Sequence, residues 1–186
     1  MSRARMGWAR RALPALAVLW PLMSAPTSAA TQLQDGAWSA LDPAAPAPGA
    51  RRECAAIYDA VNQRYLIFAG FTNIFGYYQL LNEVWTASLP PGGTPTWDYT
   101  EISGPVPGPR HSPQWGYDPA RNRLLIFGGY GEHHPGDPFE YLSDVWQLSL
   151  SGTPKWTELT PAGMAPEGRL AGAAVYDPLR QRFVCF

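Results

Sequence analysis

Short apolar runs separated by clusters of Gly, Pro, Asn and Asp make up most of the chain after residue 50. This punctuation is that of an all-β protein, with Tyr, Trp, Leu, Ile and Val filling segments of strand length and turn formers between them. One stretch predicts strands at residues 54–58, 64–68, 83–89 and 97–100, and a later one predicts the same order at 112–117, 123–127, 144–150 and 156–159. We label the four strands of each set a to d. Strand b of the second set, Leu124-Leu125-Ile126-Phe127, is apolar at every position. A strand patterned in this way needs cover on both faces, so its sheet must lie between two others.

The two sets are copies. Trp38, Trp97 and Trp156 are evenly spaced, and the same interval separates Arg51, Arg110 and Arg169, Tyr58, Tyr117 and Tyr176, and Phe68, Phe127 and Phe186. A repeat of this length is one supersecondary unit that cannot bury both faces alone. Four-stranded sheets with that need stack around an axis as the blades of a propeller.

The turns repeat too. Asp118-Pro119-Ala120-Arg121-Asn122-Arg123 and Asp177-Pro178-Leu179-Arg180-Gln181-Arg182 join strands a and b, and residues 59–64 form a looser first copy. Asp at the start and Pro next suit a type I turn, which assigns these recurring acids and arginines to structure. Gly128-Gly129 follows strand b, and the first copy has Ala69-Gly70. An Arg opening strand a, Ile126-Phe127-Gly128-Gly129, Asp144-Val145-Trp146 and a following Trp156 resemble the kelch repeat. The likeness is to the kelch repeats of secreted bacterial proteins and the propeller domain of galactose oxidase. It implies a partial kelch-type β-propeller of four-stranded antiparallel blades, incomplete at the C-terminus, with blade 1 at 51–109, blade 2 at 110–168 and the start of blade 3 at 169–186. Residues 31–50 form an N-terminal segment with a closing strand around Trp38, which would complete the last blade of a ring. Since propellers close with about 4 to 8 blades, an N-terminal fragment of a larger propeller is expected.

Residues 1–30 belong to a different kind of segment. Arg3, Arg5, Arg10 and Arg11 precede an apolar run at 12–23 and the small residues Ser28-Ala29-Ala30, the pattern of a cleaved signal peptide. The run is shorter than the ~20 residues of a membrane span and is broken by Pro14 and Pro21. A secreted or periplasmic protein without stable membrane insertion is expected. Cleavage leaves ten basic against fifteen acidic residues and one lysine, Lys155. A mildly acidic chain with no basic stripe excludes a nucleic-acid footprint. Cys54 and Cys185 occupy different places in repeats one and three and read as two unpaired thiols.

Candidate chemistry gathers at one end of the disc. Alternating strand direction places the b–c and d–a loops together, and the b–c loops are long and unlike each other, the usual place for binding on a rigid scaffold. Phe75, Tyr77 and Tyr78 lie in the first b–c loop, with Tyr130, His133, His134 and Tyr141 in the second. These aromatics either stack on a sugar or anchor a peptide, or else pack on one another to hold the loops. Arg51, Arg110 and Arg169 reach the same end from the d–a side, where they either bind an acidic ligand or hold blade to blade. Glu132, His133, His134, Asp137 and Glu140 are metal-compatible types, but Pro135, Gly136 and Pro138 make the stretch a turn without metal-ligand spacing, so no metal site is predicted. No catalytic group and no cofactor is assigned. The expected function is an exported binding platform for carbohydrate, peptide or protein, and its alternative is a fragment of a galactose-oxidase-like or other sugar-active extracellular enzyme.

Overall fold

A computed structural model of the protein describes residues 46–90 and 93–186. The signal peptide expected at residues 1–30 and the strand expected around Trp38 lie outside the described residues. Every regular element among the described residues is a β-strand. Blade 1 contains β1 (Ala55–Asp59), β2 (Arg64–Phe68), β3 (Phe71–Ile74), β4 (Tyr77–Leu80), β5 (Val84–Ser88) and β6 (Thr96–Thr100). Its sheet has the order β1-β2-β5-β6, antiparallel throughout, and β3 and β4 form a separate hairpin inside the β2–β5 connection. Next come β7 (Arg110–His111), β8 (Gln114–Asp118), β9 (Arg123–Phe127), β10 (Tyr130–Gly131), β11 (Glu140–Tyr141), β12 (Val145–Ser149) and β13 (Lys155–Leu159). Strands β8-β9-β12-β13 make blade 2, and β7, β10 and β11 make a small sheet at its end. In the third copy β14 (Ala174–Asp177) pairs with β15 (Arg182–Cys185).

The a to d strands fall within about two residues of their predicted bounds. Strand a of blade 2 starts at Gln114 instead of residue 112 because Ser112 has φ 50°, a left-handed turn that no strand accommodates. The sequence predicts loops for the b–c segments, yet both contain paired strands. The interval from Val84 to Val145 is longer than the repeat, but that from Thr96 to Lys155 equals it again. Two extra residues in the second b–c segment are thus cancelled by a shorter c–d turn, and the tryptophans keep their period.

The core lies between blades. Leu66 and Phe68 of β2 face Leu124 and Ile126 of β9 and Trp146, Leu148 and Trp156 of the strands beyond it, all essentially inaccessible to solvent. Phe68 packs on Trp156 with ring centroids 4.6 Å apart. Backbone bonds repeat at the junctions. Gly70 donates to the Arg110 carbonyl and Gly129 to that of Arg169, both at 2.9 Å, while Ser112 donates to Glu53 and Ala171 to Ser112 at 2.8 and 3.0 Å. Each blade is therefore tied to the next by main chain as well as by apolar burial.

The a–b turns carry the expected structural ions. Asp59 and Asp118 are fully buried; each accepts from the Arg that opens the next strand, Arg64 at 3.1 Å and Arg123 at 2.9 Å. Gln63, Asn122 and Gln181, again one repeat apart, hold the left-handed position that closes each turn. The Tyr117 hydroxyl of blade 2 reaches Asp59 of blade 1 at 3.3 Å and donates to Asn122 at 2.8 Å. Burial works to raise the Asp59 carboxyl, but hydrogen bonds from Asn62 and Arg64 together hold it below the usual carboxylate value. Both cysteines are free thiols, and burial pushes Cys185 up to about 11, which disfavours its thiolate at neutral pH.

Candidate functional site

Pairing of β7 with β10 brings a d–a segment against a b–c segment, so the two sets of loops share one end of the molecule. Arg52 makes the equivalent bridge to Phe71 in blade 1. Here the recurring arginines divide. Arg110 is fully buried, and its guanidinium bonds Asp144 at 2.7 Å and the carbonyls of Gly108, Gly128, Glu132 and His133. Every donor is committed internally, which takes Arg110 out of the candidate ligand face and makes it the clamp of its blade. Arg51 repeats the arrangement with Glu83 at 2.8 Å. In both blades the same acid also accepts from a Trp two residues on, Trp85 at 2.9 Å and Trp146 at 2.7 Å. The unit is thus an Arg, an acid and an indole, which explains the recurrence of all three. Arg169 is half-buried and donates to the Glu167 carbonyl at 3.1 Å.

The aromatics form one row across the boundary of blades 1 and 2. Tyr78 lies 6.0 Å from Phe71, Phe71 5.2 Å from His111, His111 5.7 Å from Tyr130, and Tyr130 5.2 Å from Tyr141 and 6.3 Å from Phe139, all as ring centroids. The Arg52 guanidinium caps the Phe71 ring at 4.4 Å. The rings pack on one another, and the outer members of the row, Tyr78, Phe139 and Tyr141, stay exposed. Together with Glu53 and Leu80, the row from Tyr78 to Phe139 lines a groove of about 320 Å³, and Tyr141 falls outside it. The β3–β4 turn carries Phe75, 97% exposed, at φ 53° beside Gly76 at φ 87°. Both central residues of this turn are left-handed, positions that favour Asn or Gly over an aromatic. Tyr77 is exposed beside it.

No sequence motif places a carboxylate beside His111. The structure puts Glu53 of the preceding blade 2.8 Å from its Nδ1, and the Ser112 hydroxyl donates to the same Glu53 oxygen at 2.5 Å. The left-handed backbone of Glu53 and Ser112 creates this meeting, a signal that the sequence does not carry. The Ser112 bond, opposed by burial and helped by His111, holds the Glu53 carboxyl below its ordinary value. Because the hydroxyl gives its proton to the carboxylate and not to the imidazole, the trio is a junction between blades, not an activated nucleophile.

The polar cluster of the second b–c segment also differs from expectation. His133 and His134 lie with ring centroids 4.1 Å apart and planes tilted by 46°, and both Nε2 atoms turn to Glu158 on β13, at 2.8 and 3.7 Å. Glu158 is 25 residues from His133 in sequence, so no local spacing could announce it. His133 and Glu158 border a cleft of about 490 Å³ whose other wall is residues 160–166. Glu132 is used locally, accepting from Gly136 at 2.6 Å, and Glu140 lies in the cleft lining.

A family model described as the KLHDC2/KLHL20/DRC7 Kelch-repeats domain matches residues 27–185. No curated protein matches the chain.

Proposed function

Since the chain belongs to the kelch-repeat family, whose propellers mediate protein interactions, we propose that it is an exported recognition platform that takes its ligand in the aromatic groove between blades 1 and 2. The observation that carries this reading is the continuous row from Tyr78 to Phe139, partly buried along its base and open along its rim. Rigid rings already held in place lose little entropy on binding, and their flat faces suit an apolar or aromatic side chain of a peptide, or the face of a sugar ring. The exposed aromatic on a left-handed turn adds to this, because neither packing nor backbone preference calls for Phe75 there.

A peptide-display selection and a glycan array, both run on the untagged mature protein, test the proposal. Ligands should bind at least tenfold more weakly to Tyr78→Ala and Phe139→Ala, with thermal unfolding of both variants unchanged. Binding that ignores both substitutions would sink the assignment of the groove. N-terminal sequencing of the protein from its native source tests export, and the expected first residue is Thr31.

A further inference from the structure

The fold does not require the histidine pair. In blade 1 the indole of the Arg–acid–Trp unit, Trp85, is covered by Tyr99, 5.4 Å away and edge-on. In blade 2 the same indole position, Trp146, is met edge-on by His134 at 5.9 Å, and the residue matching Tyr99 is Glu158. Blade 2 thus exchanges an aromatic lid for two imidazoles and a carboxylate. The three ligand atoms all lie within 4.8 Å of one another. Ligand atoms about 2.0–2.1 Å from a tetrahedral zinc sit roughly 3.3 Å apart, so small side-chain rotations bring this set to bonding geometry.

The surroundings fit a metal better than a hydrogen-bonded trio. Asp137 lies 3.5 Å from Nδ1 of His134, on the ring edge away from Glu158, where metal-bound histidines usually find a carboxylate that fixes the tautomer. Asp137 is itself held by the His134 backbone NH at 3.0 Å. The His133 carbonyl is pinned by Gly108 and Arg110, which fixes the backbone beneath both rings. Asp144 lies 3.9 Å from His133, but Arg110 and Trp146 occupy its two oxygens, so it supplies charge without being a ligand. Two imidazoles and one carboxylate suit zinc or copper and are poor ligands for calcium or magnesium.

We propose that His133, His134 and Glu158 form a binding site for a divalent transition metal, zinc in the first instance, with the remaining coordination position open to the cleft that His133 and Glu158 border. The site rests on side-chain geometry alone and stands whether or not the aromatic groove binds a ligand. Isothermal titration of Zn²⁺ into the full, tag-free protein at neutral pH is expected to give saturable binding of one equivalent. His134→Ala and Glu158→Gln should each weaken it at least tenfold, and Asp137→Asn by a smaller factor. Co²⁺ should give visible absorption bands of a low-coordinate site in the native protein and lose them in Glu158→Gln. All four side chains are at least partly exposed, and unchanged thermal unfolding of the metal-free variants will show that the fold survives. Absence of saturable binding at millimolar Zn²⁺, or binding that the substitutions leave untouched, overturns the proposal.

Discussion

Strands β2 and β9 hold the same place in consecutive blades, and their fates differ. Along β9 the side chains of Leu124, Leu125, Ile126 and Phe127 are all buried. Leu124 and Ile126 face blade 1, while Leu125 and Phe127 line the side where Phe183 and Cys185 of the third copy lie. Along β2 only Leu66 and Phe68 are buried; Tyr65, the match of Leu124, is 45% exposed. Among the described residues no strand covers that side, where Tyr65, Ile67, Ala87 and Trp97 border an open apolar groove. A blade of this kind takes its stability from its junctions, and one sequence pattern yields a core strand or a half-open one according to its neighbours.

Substitution on the two sides of β2 is the strongest way to break this comparison. Phe68→Ala removes a buried ring packed on Trp156 and is expected to destabilise by about 5 kcal/mol, enough to unfold a marginal domain. Tyr65→Ala, three residues away on the open side, should cost about 1 kcal/mol or less. Urea unfolding gives both values, and similar losses would show that the Tyr65 side is covered in solution.

The recurring arginines sharpen the contrast at the next magnitude. Arg110→Ala would leave Asp144, whose side chain is 5% exposed, as an uncompensated buried charge and should cost about 3 kcal/mol. Arg169→Ala loses one bond to a loop carbonyl and should fall within about 0.5 kcal/mol of the parent. Equal losses by denaturant melts would mean that the third copy holds its arginine as firmly as the second.

Much of the fold is legible because it is written more than once. The a to d strands, the Asp-to-Arg turns and the propeller architecture follow from four landmarks on one interval, and the family match agrees with them. The hairpins β3–β4 and β10–β11 are not legible: they differ between copies and mix aromatics with polar residues, so no alternation marks them as strands. The candidate site is only partly readable. The aromatics of the b–c segments stand out in the sequence, yet their joining into one row depends on β7 crossing to β10. Recurrence of Arg110 leaves a ligand contact and a blade clamp both open, and its acid partner, 34 residues away, is what the sequence does not announce. Glu158 is invisible for the same reason, since a β13 residue meets the histidines only through sheet pairing.

The turn aspartates offer a smaller effect with a pH signature. Burial acts to raise the Asp118 carboxyl, but hydrogen bonds from Tyr176, Arg123 and Arg121 outweigh it and hold it below its ordinary value. A carboxyl depressed on folding contributes stability above its unfolded value, about 3.9, and loses it as pH falls through the lower folded one. Asp118→Asn should therefore cost about 2 kcal/mol at neutral pH and flatten the acid limb of the stability curve. Asp177, its partly buried counterpart, is depressed mainly by the backbone NH of Arg180 within its own turn, so Asp177→Asn should change the acid limb less. Parallel acid limbs for the parent and Asp118→Asn, measured by denaturant midpoints down to pH 3, would remove the buried ion network from the account of stability.

The smallest expected effect lies where the copies differ by one methyl group. Ala69 has φ 63° and its match Gly128 φ 65°, so both lie in the left-handed region that disfavours a side chain. In the second copy a Cβ at Gly128 would lie 2.7 Å from the Arg169 carbonyl and 2.8 Å from that of Leu142. Blade 1 carries that methyl group, and its ladder bond from Ala69 to Glu83 is 3.4 Å where the bond from Gly128 to Asp144 is 3.1 Å. Ala69→Gly should relieve about 1 kcal/mol of backbone strain. Against this stand about 0.8 kcal/mol of lost apolar burial and about 0.4 to 1 kcal/mol of added freedom in the unfolded chain. The net is a destabilisation of about 0.5 kcal/mol, and the native state should shorten that ladder bond even as it loses stability. Amide hydrogen exchange at residue 69 reads the bond and denaturant melts read the balance. A gain above about 1 kcal/mol in Ala69→Gly would mean that the first copy stores more strain than its backbone angle accounts for.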